Sequence, residues 1–168
     1  KEFADVFEYV GRDEAYLDIT KKADNDFTKA SHIAQQIKNT IREKTMLTCS
    51  IGISPNKILS KIASAYKKPD GLTLVTPNNI SEFIETLSIR NIPGIGKKTE
   101  EKLAQQGIET ISKVKDLDVF GLVKIFGRKT GTYIFNAVRG IDEEPVTQRA
   151  DTVQISKIST LKKDSSDY

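Results

Sequence analysis

Two adjacent carboxylates, Asp13 and Glu14, are the first residues of the chain whose types and spacing could do chemistry. They separate two β-rich runs, residues 6–10 and 15–19, so the pattern predicts a hairpin with the pair at or beside its turn. Carboxylates this close repel each other, but Mg²⁺ takes one or two carboxylates together with substrate phosphates. Two such ions suit phosphoryl transfer. The alternative interpretation is a solvated turn, in which Asp is common.

A second chemical feature is the glycine-rich turn Ile-Pro-Gly-Ile-Gly at residues 92–96, followed by two lysines. Glycines let a backbone turn tightly, and the N–H groups at the start of the next helix can face a phosphate. Such contacts hold a nucleic-acid backbone without reading bases, and Lys102 could add charge. The alternative is an ordinary turn between helices. A degenerate second copy follows, so the predicted DNA-binding residues are Gly94, Ile95, Gly96, Lys97, Lys98, Gly127, Arg128 and Lys129.

Strands and helices alternate up to about residue 87, which predicts an α/β or α+β sheet layer, and an all-helical part follows. We expect the α+β class for the chain as a whole. Strands are predicted at residues 47–53 and 72–75, and helices at 26–44, 54–68 and 76–87. Ser54 is the predicted cap of the second helix, with Pro55 at its first position. Further helices are predicted at 97–106, 111–115, 118–126 and 128–138. The predicted core of the helical part is Ile92, Ile95, Leu103, Ile108, Leu122, Ile125, Ile134 and Phe135, with Tyr133 left open between core and contact.

The composition of the 168 residues excludes several classes of protein. One cysteine, Cys49, rules out an internal disulfide and favours a reducing, cytoplasmic setting. His32 has no second histidine with which to share a metal, so we expect it to be solvated. No run approaches the ~20 apolar residues that span a bilayer. The net charge of +3 permits a polyanionic partner without requiring one.

Four ordered motifs carry a resemblance to a known family. They are Asp-Glu-Ala-Tyr-Leu-Asp at 13–18, Ser-Ile-Gly-Ile-Ser-Pro-Asn-Lys at 50–57, Lys-Ile-Ala-Ser at 61–64 and Lys-Pro-Asp-Gly at 68–71. With the glycine-rich turn after them, the chain resembles the Y-family (lesion-bypass) DNA polymerases of the DNA polymerase IV type. The resemblance covers essentially the whole chain. It implies three segments: a partial palm with a mixed or antiparallel sheet (1–87), a helix-hairpin-helix thumb (88–148), and a linker that begins a little-finger domain (149–168).

The resemblance also implies roles for individual residues. Asp13 and Glu14 would bind two catalytic Mg²⁺ ions, and Lys68 would reach the triphosphate of the incoming nucleotide. From the residues alone, Lys68 is instead a lysine at a helix C-terminus facing the helix dipole. The implied activity is templated, low-fidelity DNA synthesis on damaged templates by a monomer. Its partners would be primer–template duplex DNA, a deoxynucleoside triphosphate and, as a further candidate, a sliding clamp, with no membrane.

The sequence departs from the family pattern at three positions. Gly11 and Arg12 stand where the family has Ser and an apolar residue, and Ala65 stands where it often has Asp. The family's first metal-binding Asp and its fingers lie ahead of the matching region. We therefore expect this chain alone to be inactive.

Two other functions remain open on the residues alone. One is a non-catalytic helix-hairpin-helix module that holds duplex DNA for another subunit. The other is a repair glycosylase, although such an enzyme more often has its catalytic Asp just after the hairpin. No Asp lies between Gly94 and Asp116.

Overall fold

The computed structural model describes residues 2–11 and 13–148, and it has the predicted α+β architecture. The strands are β1 Val6–Tyr9, β2 Ala15–Asp18, β3 Ile51–Ile53 and β4 Leu72–Leu74. The helices are α1 Phe27–Thr45, α2 Lys57–Tyr66, α3 Ile80–Glu85, α4 Lys97–Ala104, α5 Ile111–Lys115, α6 Val119–Phe126 and α7 Arg128–Ala137. Two 3₁₀ turns, Pro77–Asn79 and Ile89–Asn91, precede α3 and α4. We call residues 2–76 the sheet part and residues 77–148 the helical part.

The sheet part contains two small sheets. Strands β1 and β2 form the predicted antiparallel hairpin, with Tyr9 opposite Ala15 next to the turn. Strands β3 and β4 pair in parallel, joined by α2 as the crossover helix. Helix α1 lies against this second sheet, where Ala30 and Ala34 pack on Ile53. The sheet content is therefore mixed, as the sequence predicts.

Helix α2 joins the two parts of the molecule through its apolar face. Ile58, Leu59, Ile62 and Ala63 are all buried, as their spacing predicts. They belong to one core cluster that continues through Val75 and the helical part. The core of the helical part contains Ile84, Ile92, Leu103, Ile111, Val114, Leu122 and Ile134. The predicted boundary near residue 87 is thus not a gap in the core, and the division into domains stays a prediction.

Helices α6 and α7 form the tightest contact in the helical part. A side chain at Gly131 would lie 2.6 Å from the backbone of Leu122 and Val123. Only glycine therefore lets the two helices approach this closely. This packing fixes the turn between them, which carries Gly127.

The structure corrects two local predictions. Asn56, not Ser54, caps α2, because its side chain accepts a hydrogen bond from the N–H of Leu59. The Ser54 hydroxyl instead bonds to the carbonyl of Asn56 and to Ser60, and Pro55 precedes the cap. Strand β3 is also shorter than predicted, since Leu47 is 66% exposed and lies outside the sheet.

The structure also bears on the expectations about membrane spans, His32 and Cys49. No helix in the described part of the chain is both long and apolar enough to cross a membrane. His32 is exposed, as expected, and Cys49 is a partly buried free thiol. The predicted linker at 149–168 and the departure at Arg12 lie outside the described residues.

Candidate active site and phosphate-binding hairpins

The carboxylate pair lies where the sequence predicts it, at the turn of the β1–β2 hairpin. Asp13 is an exposed residue in the turn, and Glu14 directly precedes β2. The carbonyl of Glu14 accepts from the N–H of Val10 at 3.1 Å and from that of Gly11 at 3.3 Å. The backbone under the pair is therefore held by the strands, while both side chains reach solvent.

Glu14 forms an ion pair with a residue of α2. Its Oε2 atom lies 2.8 Å from Nζ of Lys61, and both side chains are about half exposed. This hydrogen bond from Lys61, followed by the charge of Lys61, holds the pKa of Glu14 below its ordinary value. The same bond raises the pKa of Lys61, to which the charge of Asp13 also contributes. Lys61 thus offsets the repulsion between the two carboxylates.

Lys68 lies in the turn that follows α2, close enough to act on the same site. Its charge is a further contribution to the low pKa of Glu14. The residue is exposed, and its N–H donates to the carbonyl of Ala65 at 3.4 Å. Lys68 therefore lies beyond the helix rather than in its last turn, and its charge reaches the Glu14 carboxylate.

The oxygen donors at this site fit a divalent ion such as Mg²⁺. Asp13 and Glu14 supply hard carboxylate oxygens on a strand-supported turn, and two lysines beside them suit a phosphate-bearing substrate. Among the described residues, no group of three or more His, Cys, Asp or Glu side chains gathers here or elsewhere. Two carboxylates match the way Mg²⁺ binds, with substrate phosphates and water completing the shell.

A second lysine of α2, Lys57, is buried beside the hairpin. Its ammonium lies 3.0 Å from Glu8 of β1 and 3.3 Å from Glu144. It also lies 5.2 Å from the ring centre of Tyr16. Burial works to lower the pKa of Lys57, but the hydrogen bonds and charges of the two glutamates outweigh it, so the pKa is raised.

The segment after α7 returns to the sheet part and closes around α2. Asn56 donates to the carbonyl of Gly140 at 2.8 Å, and Asp142 accepts from the N–H of Ile58 at 2.9 Å. The N–H of Thr147 donates to Glu8 at 3.0 Å. These bonds fix the end of the helical part against the hairpin that carries Asp13 and Glu14.

An open cleft of about 590 Å³ lies between the hairpin, α2 and the helical part. Its lining includes Tyr16, Lys57, Lys61, Pro93, Tyr133, Asn136 and Glu144. The cleft therefore connects the neighbourhood of the carboxylate pair with that of the first glycine-rich turn. Lys61, the ion-pair partner of Glu14, and Pro93, the residue before Gly94, both line this cleft.

The first glycine-rich turn has the backbone that its glycines predict. Gly94 has a φ of +79°, and Gly96 lies in open space at the start of α4. Tyr133 of α7 donates its hydroxyl to the carbonyl of Pro93, and a side chain at Gly94 would lie 3.3 Å from the Tyr133 ring. Tyr133, left open by the sequence, thus braces this turn. The side chain of Ile95 is buried, and its N–H donates to Ile92.

The helices after the two turns differ at their N-termini from most others. Side chains of Asp26, Asn56, Thr110 and Asp118 cap α1, α2, α5 and α6. Helices α4 and α7 instead begin after Gly96 and Gly127, with no side-chain hydrogen bond at the cap. An uncapped N-terminus leaves N–H groups that an anion can bind.

The basic residues near these turns have unequal surroundings. Lys97 is 77% exposed, with Glu101 at 3.8 Å, and Lys98, Arg128 and Lys129 are exposed. Lys102, by contrast, donates to the carbonyl of Ile125 at 2.5 Å and lies over the ring of Phe126. Its ammonium is therefore engaged at the end of α6, and it links α4 to α6 just before the second turn.

Sequence reasoning missed Lys57 and Lys61 as members of the site. Both lie in the recognised motifs, four residues apart on the otherwise apolar helix α2. Two lysines at this spacing share a helix face. Their carboxylate partners, Glu8, Glu14 and Glu144, are distant in sequence, so the spacing alone did not identify them.

Comparison with known proteins identifies relatives for the whole chain. The family model described as "impB/mucB/samB family" matches residues 1–65. The one described as "DNA polymerase-iota, thumb domain" matches residues 90–142. The chain is 67% identical over 168 residues to a "DNA polymerase IV" of Nitrosopumilus maritimus, covering all of the chain and 46% of that relative. It is 44% identical to "DNA polymerase IV 1" of Methanosarcina mazei, covering 97% of the chain and 45% of that relative.

Solved structures give the same result for the fold. A "Y-family DNA polymerase chimera" of Dbh and Dpo4 matches with a TM-score of 0.82 at 34% identity, over 89% of this chain and 43% of that one. The "insertion ternary complex of Dbh DNA polymerase" matches with a TM-score of 0.80 at 35% identity, over 86% of this chain and 42% of that one. The chain thus spans less than half the length of the relatives it matches.

Proposed function

The chain belongs to the Y family of DNA polymerases, and from this premise we propose that the protein extends a DNA primer by templated addition of deoxynucleotides, with low fidelity on damaged templates. The observation that carries the proposal is the hairpin pair Asp13–Glu14, which lies beside two lysines in a chain related to DNA polymerases along its whole length. A non-catalytic DNA-holding module would not need this charge arrangement.

Asp13 and Glu14 would bind two Mg²⁺ ions together with the triphosphate. The bound metal would supply activation of the primer 3′-hydroxyl and neutralisation of charge on the leaving group. The hairpin holds Asp13 and Glu14 on a strand-supported turn, which limits their freedom before substrate binds. Lys61 forms an ion pair with Glu14 and lowers its pKa, so a metal ion binding at Glu14 would share the carboxylate with this ammonium or displace it.

Lys68 would contact the triphosphate of the incoming nucleotide. It lies outside α2 on a turn beside the carboxylates, and its charge acts on Glu14. A cation at this place favours an anion bound next to the pair. The geometry thus supports the role that the family resemblance implies for Lys68.

The two glycine-rich turns would bind the backbone of duplex DNA. The uncapped N-termini of α4 and α7 offer N–H groups to phosphates, and Lys97, Lys98, Arg128 and Lys129 add positive charge. Contacts of this kind do not depend on base sequence. We expect the protein to act as a monomer in the cytoplasm, with a sliding clamp as a further partner.

Primer extension by the full-length protein tests the proposal. A labelled primer on an undamaged or a lesion-bearing template should lengthen with Mg²⁺ and all four deoxynucleotides, and a chelator should stop the reaction. Omitting the template should also stop it. Extension that continues in the presence of the chelator would count against Mg²⁺-dependent catalysis at Asp13 and Glu14.

A further inference from the structure

Lys38 is a buried cation in the middle of α1. Its side chain is 9% exposed, and it occupies the helix face that also carries Ala30 and Ala34. Burying an ammonium is unfavourable unless hydrogen bonds and charge compensate it. A lysine at this position must therefore have partners, and three residues supply four acceptor atoms.

The partners of Lys38 lie on one side of α1, in segments distant in sequence. Its Nζ donates to the carbonyls of Cys49 at 2.6 Å, Asp70 at 2.8 Å and Gly71 at 3.3 Å. It also forms an ion pair with the carboxylate of Asp70. The carboxylate is 42% exposed, so the charge pair sits at the border between core and solvent. Three of the four bonds reach the turn at residues 67–71.

This turn is compact and leaves little freedom. A side chain at Gly71 would lie 2.2 Å from the carbonyl of Lys67, so the chain folds back tightly on the end of α2. Asp70 has a φ of +54°, a left-handed conformation that costs free energy for any residue except glycine. The N–H of Gly71 donates to Ser50 at 3.1 Å, and its carbonyl accepts from Ile51 at 3.0 Å. Lys38 holds the preceding residue, Asp70, through both its backbone carbonyl and its side chain.

Lys68 projects from the same turn, two residues before Asp70. Lys38 lies on the inner side of the turn, whereas Lys68 is exposed and acts on Glu14. A shift of the turn would therefore move the Lys68 ammonium relative to the carboxylates. Shifts of about 1 Å in a group that positions substrate can cost up to about 10²-fold in catalysis.

We propose that Lys38 is a positioning residue for nucleotide binding: it fixes the 67–71 turn so that Lys68 meets the triphosphate. The inference rests on the role proposed above for Lys68. Lys38 does not itself touch substrate, because its ammonium is buried and all its described bonds are internal. Its three bonds to Asp70 and Gly71 orient the turn even where the buried ion pair adds little net stability.

The experiment measures nucleotide and DNA affinity separately in the full-length polymerase. Lys38→Met keeps the length of the side chain but removes the donor, and Lys38→Arg keeps a charged donor. Lys44→Met, at an exposed position near the end of α1, is the matched control. Single-turnover addition of one nucleotide gives its dissociation constant and the maximal rate, and a fluorescent primer–template gives the DNA dissociation constant.

We expect Lys38→Met to weaken nucleotide binding about tenfold, with the DNA dissociation constant changed by less than about twofold. Lys38→Arg should recover part of the loss, and Lys44→Met should match the unmodified protein. In a Lys68→Ala background, adding Lys38→Met should change nucleotide affinity by less than about twofold, because the two residues act in series.

The outcomes separate this inference from the proposed function. If Lys68→Ala weakens nucleotide binding but Lys38→Met does not, the positioning role is wrong while the site stands. If Lys68→Ala has no effect, the assignment of Lys68 itself fails. Full additivity in the double variant would also overturn the positioning role. Should Lys38→Met not fold, Asp70→Asn removes the charge from the other partner, and unchanged nucleotide affinity in that variant would contradict the proposal.

Discussion

The sheet part and the helical part of this protein differ in the groups that carry their charge. The sheet part uses side-chain charges, each held by an opposite charge: Glu14 by Lys61, Lys57 by Glu8, and Lys38 by Asp70. The helical part uses backbone N–H groups at α4 and α7, whose caps are glycines without a side-chain hydrogen bond. The sheet part thus relies on full charges of ionised side chains, whereas the starts of α4 and α7 rely on the partial charges of backbone N–H groups.

This difference predicts how each region responds to substitution. Removing one side chain at the hairpin removes a specific charge, so the rate of nucleotide addition should fall strongly. At the glycine-rich turns we expect no single side chain to be essential for DNA binding, because the binding groups are backbone N–H groups. Changes in backbone conformation should therefore have the largest effect on DNA affinity. If substitutions in the two regions had the same effects on catalysis and on DNA binding, this distinction between the regions would be wrong.

Removing Glu14 should have the largest effect. Glu14→Ala in the full-length protein deletes one of the two carboxylates proposed to bind metal, so primer extension should fall by about three orders of magnitude or more. Duplex affinity should stay nearly unchanged, as measured by fluorescence anisotropy. Glu43→Ala, at an exposed position on α1, should leave both properties intact. Extension that survives in Glu14→Ala would show that the site is elsewhere.

Adding a methyl group at Gly94 should weaken DNA binding without lowering the maximal rate of nucleotide addition. Gly94→Ala forces a side chain into a φ of +79°, at a cost of about 1–2 kcal/mol, and distorts the turn that presents α4. We expect duplex affinity to fall about tenfold on any sequence. Gly107→Ala has a matching φ of +73° but lies at the other end of α4. If the two variants lose DNA affinity equally, the effect comes from strain alone.

Removing the Tyr133 hydroxyl should have a smaller effect on the same turn. Tyr133→Phe loses the hydrogen bond to the Pro93 carbonyl, which should lower the free energy of unfolding by about 1 kcal/mol. Thermal unfolding measures this change, and a modest loss of duplex affinity should accompany it. Tyr66→Phe is the control, since Tyr66 makes a ring contact with Phe83. Equal loss in both variants would argue against bracing by Tyr133.

The smallest expected effect is a shift in the titration of Glu14. Lys61 lowers the pKa of Glu14, so the pair stabilises the fold above the unfolded pKa of glutamate and loses this contribution as the pH falls through the folded pKa. Lys61→Met should raise the Glu14 pKa toward its ordinary value, as followed by carboxyl NMR without metal. The change is limited because Glu14 is half exposed. A control change, Lys97→Met, should leave Glu14 unaltered.

Local patterns predicted much of this fold. The bounds of α5 match the prediction, and α1 begins one residue later than predicted, after its Asp26 cap, because apolar spacing and capping residues are local signals. The prediction of Ser54 as the N-cap of α2 was wrong because Ser and Asn both suit an N-cap, and Asn56 occupies that position. Contacts of Asn56 and Ile58 with residues 140–142 favour the later start, and these lie 84 residues away.

The charged residues inside the structure could not be predicted in the same way. Lys38 looks like a polar residue on a helix, and its partner Asp70 is 32 residues distant. Lys57 meets Glu8 from an earlier strand and Glu144 from the end of the helical part. Pairings of this kind depend on the tertiary fold. The motif containing Asp13 and Glu14 was visible because its residues are adjacent in sequence.

The most direct test of the comparison is single-nucleotide addition as a function of DNA concentration, measured for the full-length protein, Glu14→Gln and Gly94→Ala. We expect Glu14→Gln to stay inactive at every DNA concentration, whereas Gly94→Ala should regain the normal maximal rate once DNA saturates. Recovery of Glu14→Gln at high DNA concentration, or a reduced maximal rate in Gly94→Ala, would contradict the separation of catalysis in the sheet part from DNA binding in the helical part.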